Sequence, residues 1–424
     1  MLAKRFGNDG KATLPINGQQ ANAVQAFLKE VDSGRMQIEY TNCVCGADNF
    51  EVFANKDRYG IPLQTVLCRS CGQVMSNPRL NKASTEYFYQ HHYRPIYVGL
   101  EKADEIFFNK QVRHGFRILD FVQAHGIMAQ STVLEIGCGA GGLLWPFKEA
   151  GYQCKGIDLG SQYLGIGRQH GLDLACQSSQ QLKAETGHTF DVIILSHVLE
   201  HFVSMDDELN TVYDLLSENG VLYVEVPGLF NLKHSYECDF LLYLQNAHNY
   251  HFNLSLLQNL LADFNLSMVA GNESVQALFI KNVDEVQKAG SQYLPVSEFL
   301  QQLEVNRASW NESLKQTKRQ AKLDIIAKVN DVLSAYPENS VCLYGTGSHT
   351  AHLLSNIERI EVIRSVLTDN DEEVGKHLAG KVTERLSAPY PQAIIISSDT
   401  YEESIYRRIS HLKNSGVDII TLYR

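Results

Sequence analysis

The sequence predicts an α/β protein, with a Rossmann-like central domain, a cysteine-bearing module ahead of it and a smaller Rossmann-like α/β domain behind it. Three observations lead there. The apolar run Val133-Leu134-Glu135-Ile136 passes into Gly137, Gly139, Gly141 and Gly142 and then into an apolar helical stretch over residues 143–150. The same strand, glycine turn and helix return at Val341-Cys342-Leu343-Tyr344-Gly345-Thr346-Gly347. Residues 190–195, 221–226 and 393–396 are apolar without alternation, as strands buried on both faces of a sheet must be.

At 424 residues the chain exceeds one ordinary core. A net charge of −11 argues against a protein whose affinity rests on neutralising phosphates, so no nucleic-acid partner is expected. No apolar run approaches the roughly 20 residues a membrane span needs, and the start Met1-Leu2-Ala3-Lys4-Arg5 lacks a signal-peptide core. The expectation is a soluble, cytoplasmic protein with a small-molecule partner and no membrane contact; the oligomeric state is not legible.

Taken in order, residues 1–18 have no apolar periodicity and read as a loosely attached arm. Ala21, Val24, Phe27, Leu28 and Val31 then recur at helical spacing before Ser33-Gly34 stops the helix. Nine cysteines are an odd count, and four of them, Cys43, Cys45, Cys68 and Cys71, form two knuckles, each followed by glycine. Four thiolates suit structural, tetrahedral zinc, which replaces a core this segment is too small to build. The first knuckle has one intervening residue instead of the usual two. These features divide the chain into an arm and helix (1–37), a zinc-binding module (38–82), a central domain (83–285) and a C-terminal α/β domain (286–424).

The glycine loop is a ligand loop, because glycines admit close backbone approach and the helix offers free N–H groups at its start. Gly137-x-Gly139-x-x-Gly142 also fits the dinucleotide fingerprint, so glycines alone leave NAD and S-adenosylmethionine open. Glu135 sits where a pyrophosphate would be repelled and an ammonium welcomed, which favours the sulfonium cofactor. Asp158 closes the next strand with a carboxylate suited to ribose hydroxyls.

Ser196 and His197 follow the strand at 190–195, at the sheet edge where such folds bind ligands. His197 and His201 are four apart, on one face if helical, with Glu200 adjacent. The order differs from His-Glu-x-x-His and no third ligand is evident, so this group reads as packing around the cofactor rather than as a metal site. Beyond residue 228 an irregular stretch suits a substrate lid, and it leads to Asn246-Ala247-His248-Asn249-Tyr250-His251, the best candidate for acid–base chemistry.

Glu135-x-Gly137-x-Gly139, Asp158, Phe190-Asp191-Val192-Ile193-Ile194 and His197-Val198-Leu199-Glu200-His201, in this order, resemble class I methyltransferase motifs. The resemblance implies that Glu135, Gly137, Cys138 and Gly139 hold the methionine end of S-adenosylmethionine, Asp158 the ribose, and Ser178 and Ser179 the adenine. Cys68-x-x-Cys71-Gly72 with Asn77-Pro78-Arg79 resembles the zinc-binding leader of three-domain methyltransferases acting on sugars, among them nucleotide-sugar C-methyltransferases. That resemblance implies Tyr93 and Arg94 against a sugar-derived acceptor and His248 as general base. Those enzymes carry a glutamate before the histidine; here stands Ala247, so Tyr250 or His251 is the substitute to look for, and C- and O-methylation both stay open. The rivals are a polyketide, lipid or other small-metabolite acceptor, a nucleic-acid modifier, and a non-catalytic cofactor-binding scaffold.

From residue 297 to 336 apolar residues at helical spacing predict a helix pair. In the C-terminal domain Gly345 and Gly347 suit the phosphate of a nucleotide-linked substrate, or the domain only buttresses the site.

Overall fold

The computed structural model describes residues 1–97, 104–126, 131–281, 286–370, 373–398 and 401–423. The expected boundary at residue 285 lies outside them. The chain forms two compact units, Met1–Leu314 and Lys315–Arg424. Among the described residues no helix is long and apolar enough to cross a membrane.

The first unit is built on a seven-stranded sheet of β1 (Thr132–Ile136), β2 (Gln153–Asp158), β3 (Asp173–Cys176), β4 (Phe190–Ser196), β5 (Leu216–Glu225), β6 (Leu266–Gly271) and β7 (Gln276–Lys281), in the order β6-β7-β5-β4-β1-β2-β3. The strands from β5 through β3 pair in parallel, and β7 is antiparallel to both β5 and β6. Side chains alternate between two cores, Leu134, Ile193 and Leu222 on one face and Val133, Val192 and Tyr223 on the other. This explains the unbroken apolar strands. Strand order reverses between β1 and β4, so a crevice opens at their carboxyl ends, where Gly137 and His197 emerge.

A second, antiparallel sheet carries the cysteines, in the order Tyr250–His251, Val74–Ser76, Pro62–Cys68, Phe50–Lys56. Its first strand comes from the segment after His248, far along the chain. Ser76 reinforces the splice, its N–H donating to Asn249 O (3.0 Å) and its hydroxyl to His248 O (2.9 Å). The cysteine module therefore positions the loop that sequence reasoning marked for chemistry.

Two expectations are corrected here. The N-terminal arm is docked: Phe6 is fully buried, and Arg5 makes a bidentate pair with Asp239 and also reaches Glu304. A single aromatic and a single arginine leave no periodic trace, so nothing in the sequence announced this. The helix pair is one helix, Tyr293–Ser334, because its only proline, Pro295, sits in the first turn, where no N–H is needed, and no glycine interrupts it.

The second unit has a six-stranded sheet in the order His377–Leu378, Lys381–Glu384, Ile363–Leu367, Val341–Tyr344, Ala393–Ile396, Asp418–Thr421, parallel except for the first hairpin. Ile326, Val329 and Leu333 cover one face, Ile405, Ile409 and Leu412 the other.

Candidate active site

The glycine loop begins at the end of β1. Gly137 has φ +74°, and a Cβ there would stand 2.5 Å from the Val198 side chain, so both backbone and space demand glycine. Gly139 N–H donates to Asp158 Oδ2 (2.9 Å) and Gly160 N–H to Asp158 Oδ1 (2.6 Å). The Asp158 carboxylate is thus fixed across the crevice, with lone pairs to spare for hydroxyl donors. Glu135 is 2% exposed, and its Oε2 has no hydrogen-bond partner. Burial, with the field of Asp158 added, drives its carboxyl well above the ordinary range. An ammonium group would supply both the missing donors and the missing charge.

The other expected cofactor contacts are placed as follows. The Cys138 side chain is fully buried, so only its backbone faces the loop. Ser178 caps the helix Ser179–Glu185, and the Ser179 hydroxyl is spent on Glu208 (2.9 Å), which leaves backbone groups for any base contact there. Ser196 Oγ lies 3.4 Å from His114 Nε2.

Beside Ser196 lies a group that sequence reasoning missed. Glu225, at the end of β5, accepts from His114 Nε2 (2.5 Å), Tyr223 OH (3.1 Å) and Gln276 Nε2 (3.1 Å), while Arg117 donates to His114 Nδ1 (2.9 Å). Burial, the largest single influence, works against the charge, yet the bond and charge of His114, the charge of His197 and the Gln276 bond together outweigh it and hold the carboxyl down at about 2. A depressed carboxylate contributes stability that is present above its unfolded value of 4.5 and lost as pH falls through about 2. Urea titrations between pH 5 and 2 are therefore expected to show wild type losing about 3 kcal/mol more than Glu225→Gln.

The second half of the crevice is a pocket lined by Arg58, Tyr93, His197, Glu200, His201, Pro227, Tyr236, Gln245 and His248. At about 190 Å³ it takes the reacting end of a molecule, not a whole nucleotide sugar. His248 is 5% exposed, and burial, with the neighbouring His201, keeps it neutral, well below the usual histidine range. Its Nε2 meets the Gln245 amide, whose Oε1 takes the Arg58 guanidinium. Tyr236, Glu237 and Cys238 all have positive φ (47°, 53° and 57°), so the wall that Tyr236 contributes is a strained segment, in the stretch expected as a lid.

Several expectations change. His197 and His201 do not share a helical face: His197 has φ +56°, and Leu199–His201 is a single 3-10 turn. Tyr250 does not substitute beside the acceptor, because its strand pairing turns it away and its hydroxyl is held by Arg79 Nη1 (2.6 Å). His251 is fully enclosed, with burial pushing it down to about 3, and it sits behind His248 with ring centres 5.9 Å apart. Tyr93 lines the pocket, whereas Arg94 lies 3.3 Å over the Tyr163 ring, close to Asp158. In the second unit Gly345 has φ +121°, and a seven-residue helix follows Gly347. Nearby, Tyr344 OH (2.8 Å) and Arg408 both bind Asp369.

Residues 108–270 match the family model described as a methyltransferase domain. The segment so matched to a methyltransferase domain holds the glycine loop at the switch point and strands β1 to β5 of the sheet. Similar curated proteins include the ubiquinone biosynthesis O-methyltransferase of Chromobacterium violaceum, 30% identical over 111 residues (25% of this chain, 48% of that protein). The Xanthomonas oryzae protein of the same name is 32% identical over 124 residues (27% and 52%). The chain spans about half the length of the curated relatives it matches. A solved structure of magnesium protoporphyrin IX methyltransferase from Synechocystis PCC 6803 is 16% identical, covering 47% of this chain and 96% of that one at a TM-score of 0.31.

Proposed function

We propose that the protein transfers the methyl group of S-adenosylmethionine to an oxygen or carbon atom of a small, sugar-derived acceptor. The buried Glu135, its Oε2 without a partner beneath the glycine loop, carries the reading, because the ammonium of that cofactor would supply both the donor and the charge that let it ionise, which a pyrophosphate cannot. The cofactor, when bound, supplies an electrophilic methyl group on a sulfonium. Gly137 and Gly139 let the backbone close on the amino-acid end, and Asp158 accepts from the ribose. Tyr93 and Tyr236 wall the acceptor's reacting end, and His248 relieves it of its proton. The relatives' printed names favour oxygen as the methylated atom and a non-sugar metabolite as the second reading for the acceptor. Release of S-adenosylhomocysteine, followed over a panel of nucleotide sugars and phenols, tests the proposal; an acceptor-dependent rate is expected, and none with any acceptor would refute it.

We also infer that Cys43, Cys45, Cys68 and Cys71 hold a structural zinc ion. Their sulfurs converge, Cys43 to Cys71 at 3.5 Å and Cys45 to Cys68 at 3.7 Å, against about 3.8 Å for the edges of a tetrahedral four-thiolate site. Gly72, at φ +89°, folds the second knuckle back so that Gln73 N–H donates to Cys71 Sγ (3.4 Å). Purified protein is expected to carry about one zinc per chain. Cys68→Ser should lose it, with a stability loss on the order of several kcal/mol by thermal melting. Turnover should fall with it, because this sheet holds the His248 segment.

A further inference from the structure

Glu200 stands in the turn after β4, 1% exposed, and neither carboxylate oxygen has a hydrogen-bond partner. Three imidazoles surround its Oε1: His197 Nδ1 at 3.5 Å, His248 Nε2 at 3.8 Å and His201 Nε2 at 3.9 Å. The hydrogen bonds on the far sides of two rings assign their tautomers. His201 Nδ1 lies 2.7 Å from the Tyr89 hydroxyl and 2.8 Å from the Ala247 carbonyl, and because the carbonyl only accepts, Nδ1 carries a proton shared between the two oxygens and Nε2 presents a lone pair to Glu200. Gln245 turns its oxygen to Arg58 and hence its NH2 to His248 Nε2, which is again a lone pair. Two imidazole lone pairs and a buried carboxylate therefore converge, faced by the Gln245 amide and by His197 Nδ1, which at 3.5 Å makes no hydrogen bond to Glu200. Such a convergence of lone pairs favours a cation between them.

We propose that Glu200, His201 and His248 bind a divalent transition-metal cation, with a coordination position open toward the acceptor pocket. Two imidazoles and one carboxylate suit zinc, manganese, iron or cobalt better than magnesium or calcium. Metal–ligand bonds of about 2.0–2.2 Å place ligand atoms roughly 3.0–3.6 Å apart. The three atoms now lie within 4.8 Å of one another, a gap that modest side-chain movement closes. The His201 Nδ1 bond to a backbone carbonyl is the outer-shell support that metal-binding histidines use. The third ligand is His248, 47 residues beyond His201, so the local spacing of His197, Glu200 and His201 did not reveal the set. One part rests on the proposed methyl transfer: the open position takes an acceptor hydroxyl and lowers its pKa so that the proton passes to water, and in this metal-bound form His248, its Nε2 engaged by the cation, serves as a ligand and not as the base.

The test uses full-length protein with its cysteine-bound zinc, titrated with manganese chloride while free ion is followed by electron paramagnetic resonance. One manganese per chain is expected, with affinity at least tenfold lower in Glu200→Gln and His201→Gln and with nitrogen couplings from two imidazoles in the wild-type spectrum. S-adenosylhomocysteine titration of each variant reports whether it is folded, and where a variant is not, the wild-type nitrogen couplings decide. Failure of wild type to take up manganese, or zinc beyond the cysteine-bound equivalent, overturns the proposal, as do absent imidazole couplings or uptake unchanged in both folded variants. Cation uptake without S-adenosylhomocysteine binding would sink the methyl-transfer reading and leave this one standing; the converse result would do the opposite.

Discussion

Alanine in place of His248 is expected to cut acceptor-dependent turnover by about 10²- to 10⁴-fold, the usual worth of a positioned proton-transfer group. The reason lies in the pocket. His248 is buried, neutral and aimed at the same cavity as Tyr93, and the two alternatives are out of reach, Tyr250 held by Arg79 and His251 enclosed. Affinity for S-adenosylhomocysteine should stay within about threefold, because Glu135 and Asp158, the groups read as holding that ligand, lie outside this pocket. Measuring both in one preparation separates a chemical defect from a folding defect. Equal losses of binding and turnover would mean that His248 is structural.

Glu135→Gln is expected to weaken S-adenosylhomocysteine binding by about 10- to 100-fold, the loss of a charge-assisted hydrogen bond in a buried site. The same change should help the ligand-free protein. A carboxyl whose folded value is raised contributes stability that is present below its unfolded value of 4.5 and is lost as pH climbs toward the raised value. Wild type should therefore lose stability between pH 4.5 and neutrality, with Glu135→Gln flatter over that window. Ligand-free denaturation at pH 5 and pH 7.5 checks the slope, and calorimetry checks the binding. A variant that binds normally would remove Glu135 from the ammonium site.

The central sheet was legible because its signals are local. Strand, glycine turn and helix adjoin at residues 133–150, Asp158 closes the next strand, and an apolar run such as residues 190–195 has few alternatives to a strand buried on both faces. The acceptor pocket was legible only in part. His248 stood out by its neighbours, but Glu200, His201 and Arg58 reach it from a turn after β4 and from the cysteine module, and no spacing rule joins positions 58, 200 and 248. Tyr250 failed for a related reason: its side-chain direction is set by pairing with Val74–Ser76, a partner chosen by the tertiary fold. The docked arm and the His114–Glu225 pair likewise rest on single side chains meeting across long sequence separations.

The account turns on which ligand the glycine loop takes, and calorimetric titration of the full-length protein with S-adenosylhomocysteine and, separately, with NADH tests this most directly. Saturable binding of S-adenosylhomocysteine that Asp158→Ala weakens, with no heat from NADH, is the predicted result. Binding of NADH without S-adenosylhomocysteine would contradict the roles given to Glu135, Asp158 and His248 together.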